Sequence, residues 1–334
     1  MADLIRLGSS GFGTFRIDPN TGQVFHDPSD PGGWPEGVTE DRVSFAVRDA
    51  AGAVTFGKAS VDVSKAPDFP AFTSTHYAGV AYGNLTYIDV LGSTTITVTA
   101  AGNFSGVLVG QGGGTELQYE GGGGGGAGDV VTFSDMWLEA GDYAVVIGNL
   151  NNSNGNDGEA SSFAGLIAIG GAKGGLGGSV AKGYDGASGS GAGTDGSGPS
   201  YNPPGNATGI TGHAGGRGYN GSKSNHCGGG GGGGAGGAGT GGEVYDGGAG
   251  GLGIVVAMPW GNYTLAAGGG GAGRQSVGDF RASGIGGRAT RNGETWGDGV
   301  PNTGSGAGGT AYNSSYGTPG KGGSGRLIIW AVTS

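Results

Sequence analysis

The chain has 334 residues, of which 89 are glycine and one is cysteine, and it carries a formal net charge of −10 at pH 7. Such an acidic chain offers no basic face to nucleic-acid phosphates or to an anionic membrane surface, and a lone cysteine excludes an intrachain disulfide. Charged residues make up only 13% of the chain, too few for the highly charged kind of disordered protein.

The first residues, Met1-Ala2-Asp3-Leu4-Ile5-Arg6, have neither the basic nor the apolar region of a secretory signal. No apolar run approaches the ~20 residues of a membrane helix. Synthesis in a cytosol, without membrane insertion, is therefore expected. Residues 12–18 and 23–26 flank the turn Pro19-Asn20-Thr21-Gly22 and are expected to be short strands. A loop with Pro28, Pro31 and Pro35 follows. Strands are then predicted at 43–47, 54–56 and 61–63, ending at Ala66-Pro67-Asp68-Phe69-Pro70. Residues 1–70 are thus expected to form a small N-terminal β domain, with a boundary near residue 70.

Beyond that boundary, strands are predicted at 85–90, 94–99 and 104–109. In the middle one Ile96 and Val98 alternate with Thr95, Thr97 and Thr99, the signature of a half-buried face. Further strands are expected at 129–133, 143–147, 163–169, 252–258, 263–267 and 326–332. Nowhere do apolar residues recur at helical spacing for long. The expected fold class is all-β.

Glycine tracts such as 121–126 and 228–234 interrupt these strands. Glycine has no side chain to bury and loses the most backbone entropy on folding, so the tracts are either flexible linker or packed backbone. Many glycines recur at every third residue: Gly212, Gly215, Gly218 and Gly221; Gly171, Gly174 and Gly177; Gly183, Gly186 and Gly189; Gly247, Gly250 and Gly253; Gly317, Gly320 and Gly323. Three residues per turn is the period of the polyproline-II-type helix, which makes no internal hydrogen bonds. Glycine edges let such helices approach and bond to one another. Flexible Gly/Ser spacers would not contain apolar runs like 252–258 and 326–332, which need strand partners. Slipping phase and scarce proline exclude collagen. An ordered bundle is the favoured reading.

Chemical motifs are few. Gly268-Gly269-Gly270-Gly271-Ala272-Gly273 fits a dinucleotide pattern, but no helix follows it. Gly320-Lys321-Gly322 lacks the hydroxyl residue of a phosphate loop. The stretch 149–159 hints at a calcium loop but places Ala164 where the bidentate glutamate belongs, so an exposed hairpin loop is expected. His226-Cys227 is adjacent rather than spaced for metal. The carboxylates Asp185, Asp195, Asp246, Asp279, Glu294 and Asp298 are scattered and form no recognisable hydrolytic pair. No catalytic residue, metal or cofactor is expected.

What remains is a set of aromatic and polar residues punctuating the glycine tracts: Tyr184, Tyr201, Asn202, Tyr219, Asn220, Phe280, Arg281, Trp296, Tyr312 and Tyr316. Tyrosine and tryptophan bury large area at low entropic cost, while Ser, Gly and Asn supply adaptable hydrogen bonds. Loops on a rigid scaffold would present them for recognition. The alternative for any one of them is a ring plugging a seam between strands and tracts.

Several stretches in order resemble the glycine-rich domains of bacteriophage tail fibres. They are 94–114, opening with Thr94-Thr95-Ile96-Thr97-Val98-Thr99; 121–129; 138–148, with Leu138-Glu139-Ala140-Gly141-Asp142-Tyr143; 161–175; and the closing Gly322-Gly323-Ser324-Gly325-Arg326-Leu327-Ile328-Ile329-Trp330. The resemblance spans roughly residues 85–334. It implies a jelly-roll-like β-sandwich with an inserted polyglycine-II bundle in residues 71–334. It also implies a non-enzymatic, receptor-binding role on the virion, at a tail fibre or tail tip. The expected partners are a host cell-surface glycan or outer-membrane protein, other phage tail proteins bound through residues 1–70, and further copies of the chain, as in a trimer. The competing readings are a head- or tail-decorating spacer without receptor binding and, third, a capsule depolymerase.

Overall fold

The computed structural model describes residues 3–9, 13–17, 24–28, 40–48, 54–62, 70–116, 121–149, 155–178, 181–195, 198–221, 227–273, 284–291, 297–311 and 319–332. Among them the regular elements are all strands, with no helix. The chain divides into two compact units, Met1–Phe69 and Pro70–Ser334.

The first unit contains β1 (Asp3–Ser9), β2 (Gly13–Ile17), β3 (Val24–Pro28), β4 (Glu40–Arg48) and β5 (Val54–Asp62). Strands β2 and β3 pair antiparallel, with Ile17 opposite Val24; the predicted turn at 19–22 lies outside the described residues. Strand β4 lies between β1 and β5. Two strands were expected at 54–56 and 61–63, but β5 is continuous: its ladder with β4 passes through Gly57, opposite Phe45. Glycine weakens a strand interior without ending it when the partner ladder continues.

The second unit opens with β6 (Ala71–Ser74), β7 (Val80–Tyr82), β8 (Leu85–Val90), β9 (Thr94–Ala100) and β10 (Gly102–Val109). It continues with β11 (Val130–Leu138), β12 (Gly141–Val146), β13 (Ser161–Phe163) and β14 (Leu166–Ala168). The short strands β15 (Ser200–Asn202), β16 (Gly218–Asn220), β17 (Ile254–Met258), β18 (Gly261–Leu265), β19 (Thr290–Arg291) and β20 (Thr310–Ala311) precede the closing β21 (Arg326–Val332). Two five-stranded sheets result, ordered β11-β10-β21-β8-β7 and β14-β13-β12-β9-β6. Their facing side chains make a sandwich-like core. Phe72, Ile96 and Val98 from one sheet meet Ile88, Phe104 and Ile329 from the other, and the rings of Phe72 and Phe104 touch edge to face at 5.2 Å. The alternation expected in β9 holds, with Ile96 and Val98 buried and their threonine neighbours partly or fully exposed.

One predicted strand, 163–169, is instead the hairpin β13–β14. Ala164 and Gly165 between them both have positive φ (47° and 83°). Two such residues make the turn whose twist matches a two-residue hairpin, and an alanine there gives no sequence signal.

Strand β21 sits between β10 and β8, so everything from 110 to 325 is threaded between two neighbouring strands of one sheet. Hydrogen bonding in this stretch repeats every third residue. In the tract 121–129, the N–H groups of Gly122, Gly125 and Gly128 donate to the carbonyls of Thr310, Ala307 and Gly304. Those of Gly123, Gly126 and Asp129 donate to Gly175, Ala172 and Ile169. Those of Gly124 and Ala127 donate to Gly230 and Gly233. The carbonyls of the same tract accept from Gly269 and Ala272, from Ser188 and Gly191, and from Gly110 and Gly113. One extended segment is thus bonded to six others, at 2.8 to 3.0 Å. The stretch 110–115 repeats the scheme, donating in rotation to Asp129 and Gly126, Glu159 and Asn156, and Gly323 and Gly320. These backbones are buried, and buried N–H and C=O groups must find partners.

Close approach explains the glycines. A Cβ at Gly124 would overlap the carbonyl of Gly269, and one at Gly126 the carbonyl of Ser188. Alanine is accepted only at selected points, such as the fully buried Ala127. The sequence motif 268–273 belongs to this network. Its N–H groups from Gly268 to Ala272 already donate to Gly251, Gly125, Gly287, Gly248 and Gly122, leaving no such cradle for a phosphate. Of the predicted hairpin loop 149–159, residues 150–154 lie outside the described residues. Asn156 and Glu159 join the network through their carbonyls, which accept from Gly114 and Gln111.

Candidate binding surface

Strands β15 and β16 form a two-stranded ladder in which Tyr201 lies opposite Tyr219 and Ser200 opposite Asn220, and on its other side Tyr219 exchanges both backbone hydrogen bonds with Gly228 of the glycine network. Successive strand residues point to opposite faces. Asn202, Asn220 and Ser200 therefore share one face, and the two tyrosines share the other.

On the amide face Asn220 is buried, Asn202 half-buried and Ser200 exposed, and the three are hydrogen-bonded to one another. Asn220, 1% exposed, donates through Nδ2 to Asn202 Oδ1 at 2.9 Å and to Ser200 Oγ at 3.1 Å. Its Oδ1 accepts from the N–H of Asp195 at 2.9 Å and from Asn202 Nδ2 at 3.0 Å. Asn202 Nδ2 also reaches the carbonyl of Gly193 at 2.9 Å. This network fixes the ladder to the buried tract 191–194, because leaving the amide of the buried Asn220 unpaired would be costly.

The tyrosine face looks outward. Tyr201 is 49% exposed and meets Tyr219 edge to face, with centroids 5.3 Å apart. The guanidinium carbon of Arg217 lies 3.8 Å from the centroid of the Tyr201 ring. Stacking of this kind orients both groups. The chain then turns at Pro203 and Pro204 into a depression of about 450 Å³, lined also by Lys182, Gly183, Tyr184, Asp185 and Asn206. Lys173 Nζ lies 4.8 Å from the centroid of the Tyr184 ring.

The structure thus brings together Tyr201, Asn202, Tyr219 and Asn220, with Tyr184 beside the adjoining depression. It splits them by exposure: Tyr201 is presented, Tyr219 is half-buried beside it, and Asn220 is buried and braces them from beneath. Phe280, Arg281, Trp296, Tyr312 and Tyr316 lie outside the described residues. Arg217 went unpicked in the sequence, although its position two residues before Tyr219 is the same-face spacing of a strand. A second aromatic group was also missed. Trp260 stacks on Tyr87 at 4.0 Å and meets Trp330 at 5.6 Å, where β17 and β18 cover one face of the sandwich. It packs beside a second apolar cluster of Val107, Val109, Val256, Met258 and Ile328 and serves as a seam.

The remaining polar groups act locally. Asp185 Oδ1 accepts the N–H of Asn206 at 2.6 Å, and Asp298 Oδ1 that of Lys321 at 2.7 Å. Arg326 pairs with Asp89, its Nε donating to Oδ1 at 2.7 Å, and lies over the Tyr263 ring. Among the described residues no three His, Cys, Asp or Glu side chains converge as a metal-binding group.

These features define an all-β protein whose sandwich-like core carries a long glycine-rich insertion. A family model described as a glycine-rich domain matches residues 89–332, and the chain belongs to that family. Comparison with curated proteins returns no match.

Proposed function

We propose that the chain is a bacteriophage tail-fibre or tail-tip protein that attaches the virion to the host cell surface by binding rather than catalysis. The observation that carries this reading is the exposed Tyr201 ring, held between Tyr219 and Arg217 and locked from below by an amide network centred on the buried Asn220. Tyr and Arg dominate recognition when they are held rigidly. Pre-ordering removes much of the entropy cost of binding.

In this reading the glycine network is a lattice of the polyglycine-II type inserted into a jelly-roll-like sandwich. The three-residue rotation of hydrogen bonds supports the lattice, and the repeated crossing of consecutive strands between the two sheets supports the jelly roll. The receptor is a surface glycan or an outer-membrane protein. Residues 1–70 join the chain to other tail proteins, and several copies per particle, as in a trimer, multiply weak contacts into stable attachment.

The test is binding of the labelled full chain to a panel of intact bacterial cells and to their extracted envelopes. Binding to at least one strain, lost when Tyr201, Tyr219 and Trp296 are replaced together by alanine, is expected. A folded chain that binds none of them would leave the lattice as a spacer on the particle.

A further inference from the structure

We infer that the depression between residues 182–186 and 203–206 is a saccharide site for a short neutral glycan. The inference rests on the adhesive reading and adds a ligand class and a site that the tyrosine pair does not supply. A sugar ring has an apolar C–H face and a rim of hydroxyls. The depression has the matching halves. Tyr184, Pro203 and Pro204 give apolar walls, and Lys182, Asp185 and Asn206 give donors and an acceptor around them. Its volume of about 450 Å³ falls in the ~300–1,000 Å³ range of small-molecule clefts and is too small for a folded partner.

The site is built before any ligand arrives. The N–H of Gly183 donates to the carbonyl of Pro203 at 2.9 Å, and that of Gly205 to Ser190 at 3.0 Å. The N–H of Tyr184 donates to Ser190 Oγ at 2.8 Å, and that of Asn206 to Asp185 Oδ1 at 2.6 Å. These bonds tie the two walls to each other and to the lattice. Proline fixes φ on one wall. On the same wall, Gly205 passes so close to the carbonyl of Tyr184 on the other that no Cβ fits between them. The Asp185 carboxylate has room for about four hydrogen bonds, so the single bond from Asn206 fixes its direction and leaves acceptor capacity for a hydroxyl pair.

The charge balance selects a neutral ligand. Lys182 and Asp185 line the same depression with opposite signs. Lys173, the other nearby cation, is placed against the Tyr184 ring. An anionic sugar would meet the Asp185 carboxylate, and a cationic one the Lys182 ammonium.

The experiment is saturation-transfer NMR of the full chain with lactose, maltose, N,N′-diacetylchitobiose and 3′-sialyllactose at millimolar concentration. Neutral oligosaccharides released from any cells that the chain binds are added to the set. Transfer to at least one neutral sugar is expected, weakened about tenfold or more by Tyr184→Ala and by Asp185→Asn. Asp185→Asn keeps an acceptor oxygen for the Asn206 N–H, so it tests the hydroxyl contact in a folded protein. Transfer to sialyllactose alone, to no neutral sugar, or undiminished in the Asp185→Asn variant would overturn the inference. If neutral sugars fail while labelled protein still binds cells, the saccharide site is wrong and the adhesive reading stands. If both fail, the adhesive reading falls with it.

Discussion

In the sandwich, Phe104, Ile88 and Ile329 exclude water with side chains, and the backbone is satisfied along the strands. In the tract 121–128 the backbone itself is the packing material. Each N–H of Gly122 to Gly128 reaches a carbonyl on another segment, and only Ala127 contributes a side-chain carbon. The first region gains from the apolar area it buries. The second gains little from area and depends on hydrogen bonds that become costly when one is broken in a buried setting. The two interiors should therefore fail in different ways. A core built of side chains degrades by degrees. A lattice built of backbone tolerates nothing at one position and a good deal at the next.

The largest effect is expected at Gly124 or Gly126. A methyl group there overlaps a carbonyl of Gly269 or Ser188, and those carbonyls belong to segments fixed by their own bonds to the same tract. Ordinary overpacking costs ~1–3 kcal/mol because side chains can shift. Here only backbone could shift, so Gly124→Ala should exceed that range and abolish the cooperative unfolding transition followed by circular dichroism. The neighbouring Ala127→Gly should cost only ~1 kcal/mol. Equal losses at 126 and 127 would contradict backbone packing.

The sandwich should answer differently. Phe104→Ala is expected to cost ~3–5 kcal/mol, through lost transfer energy and the cavity left behind. Phe104→Leu should recover most of that loss, because leucine refills much of the cavity with apolar atoms. Thermal melting of the two variants measures the gradation. A core that responded to leucine as sharply as to alanine would remove the distinction between the two regions.

The same distinction governs what could be read in the sequence. Strands with one buried face announce themselves: Ile96 and Val98 alternate with threonines, and β9 forms as expected. The three-residue glycine rhythm, as at Gly171 and Gly174, likewise signals extended tracts in close approach. Which tract lies beside which was not legible, since a backbone N–H carries no address. Nothing at Gly124 distinguishes Gly230 from any other carbonyl until the whole arrangement is in place. The β13–β14 hairpin escaped notice because Ala164 adopts a positive φ that alanine does not advertise. Of the candidate surface, the tyrosines were legible because aromatic rings stand out among glycines. Arg217 was not, since only the pairing of β15 with β16 sets its guanidinium over Tyr201. The inward turn of Asn220 also depends on that pairing.

Asn220 joins the two kinds of interior, being a side chain that satisfies backbone. Asn220→Ala would strip partners from the N–H of Asp195 and from the Asn202 amide. A loss of ~1–3 kcal/mol is expected, with Asn220→Asp recovering the acceptor but not the donor. The readout is melting temperature together with the order of the Tyr201 ring by NMR. The ring should become mobile in the alanine variant even where the fold survives.

The smallest expected change in stability is at Arg217, and it separates scaffold from surface most cleanly. Its guanidinium rests on an exposed ring, where a cation–π contact contributes ~0.5–1 kcal/mol. Its tie to the lattice is through its carbonyl, which accepts from Gly242. Arg217→Ala should leave the melting temperature almost unchanged while reducing cell binding as strongly as loss of a tyrosine. Arg217→Lys should restore charge but not the planar stacking, and so only part of the binding. If Arg217→Ala instead lowered the melting temperature as much as Asn220→Ala, the guanidinium would be a brace like the amides beneath it. The outward face of the ladder would then be an extension of the scaffold and not the surface it presents.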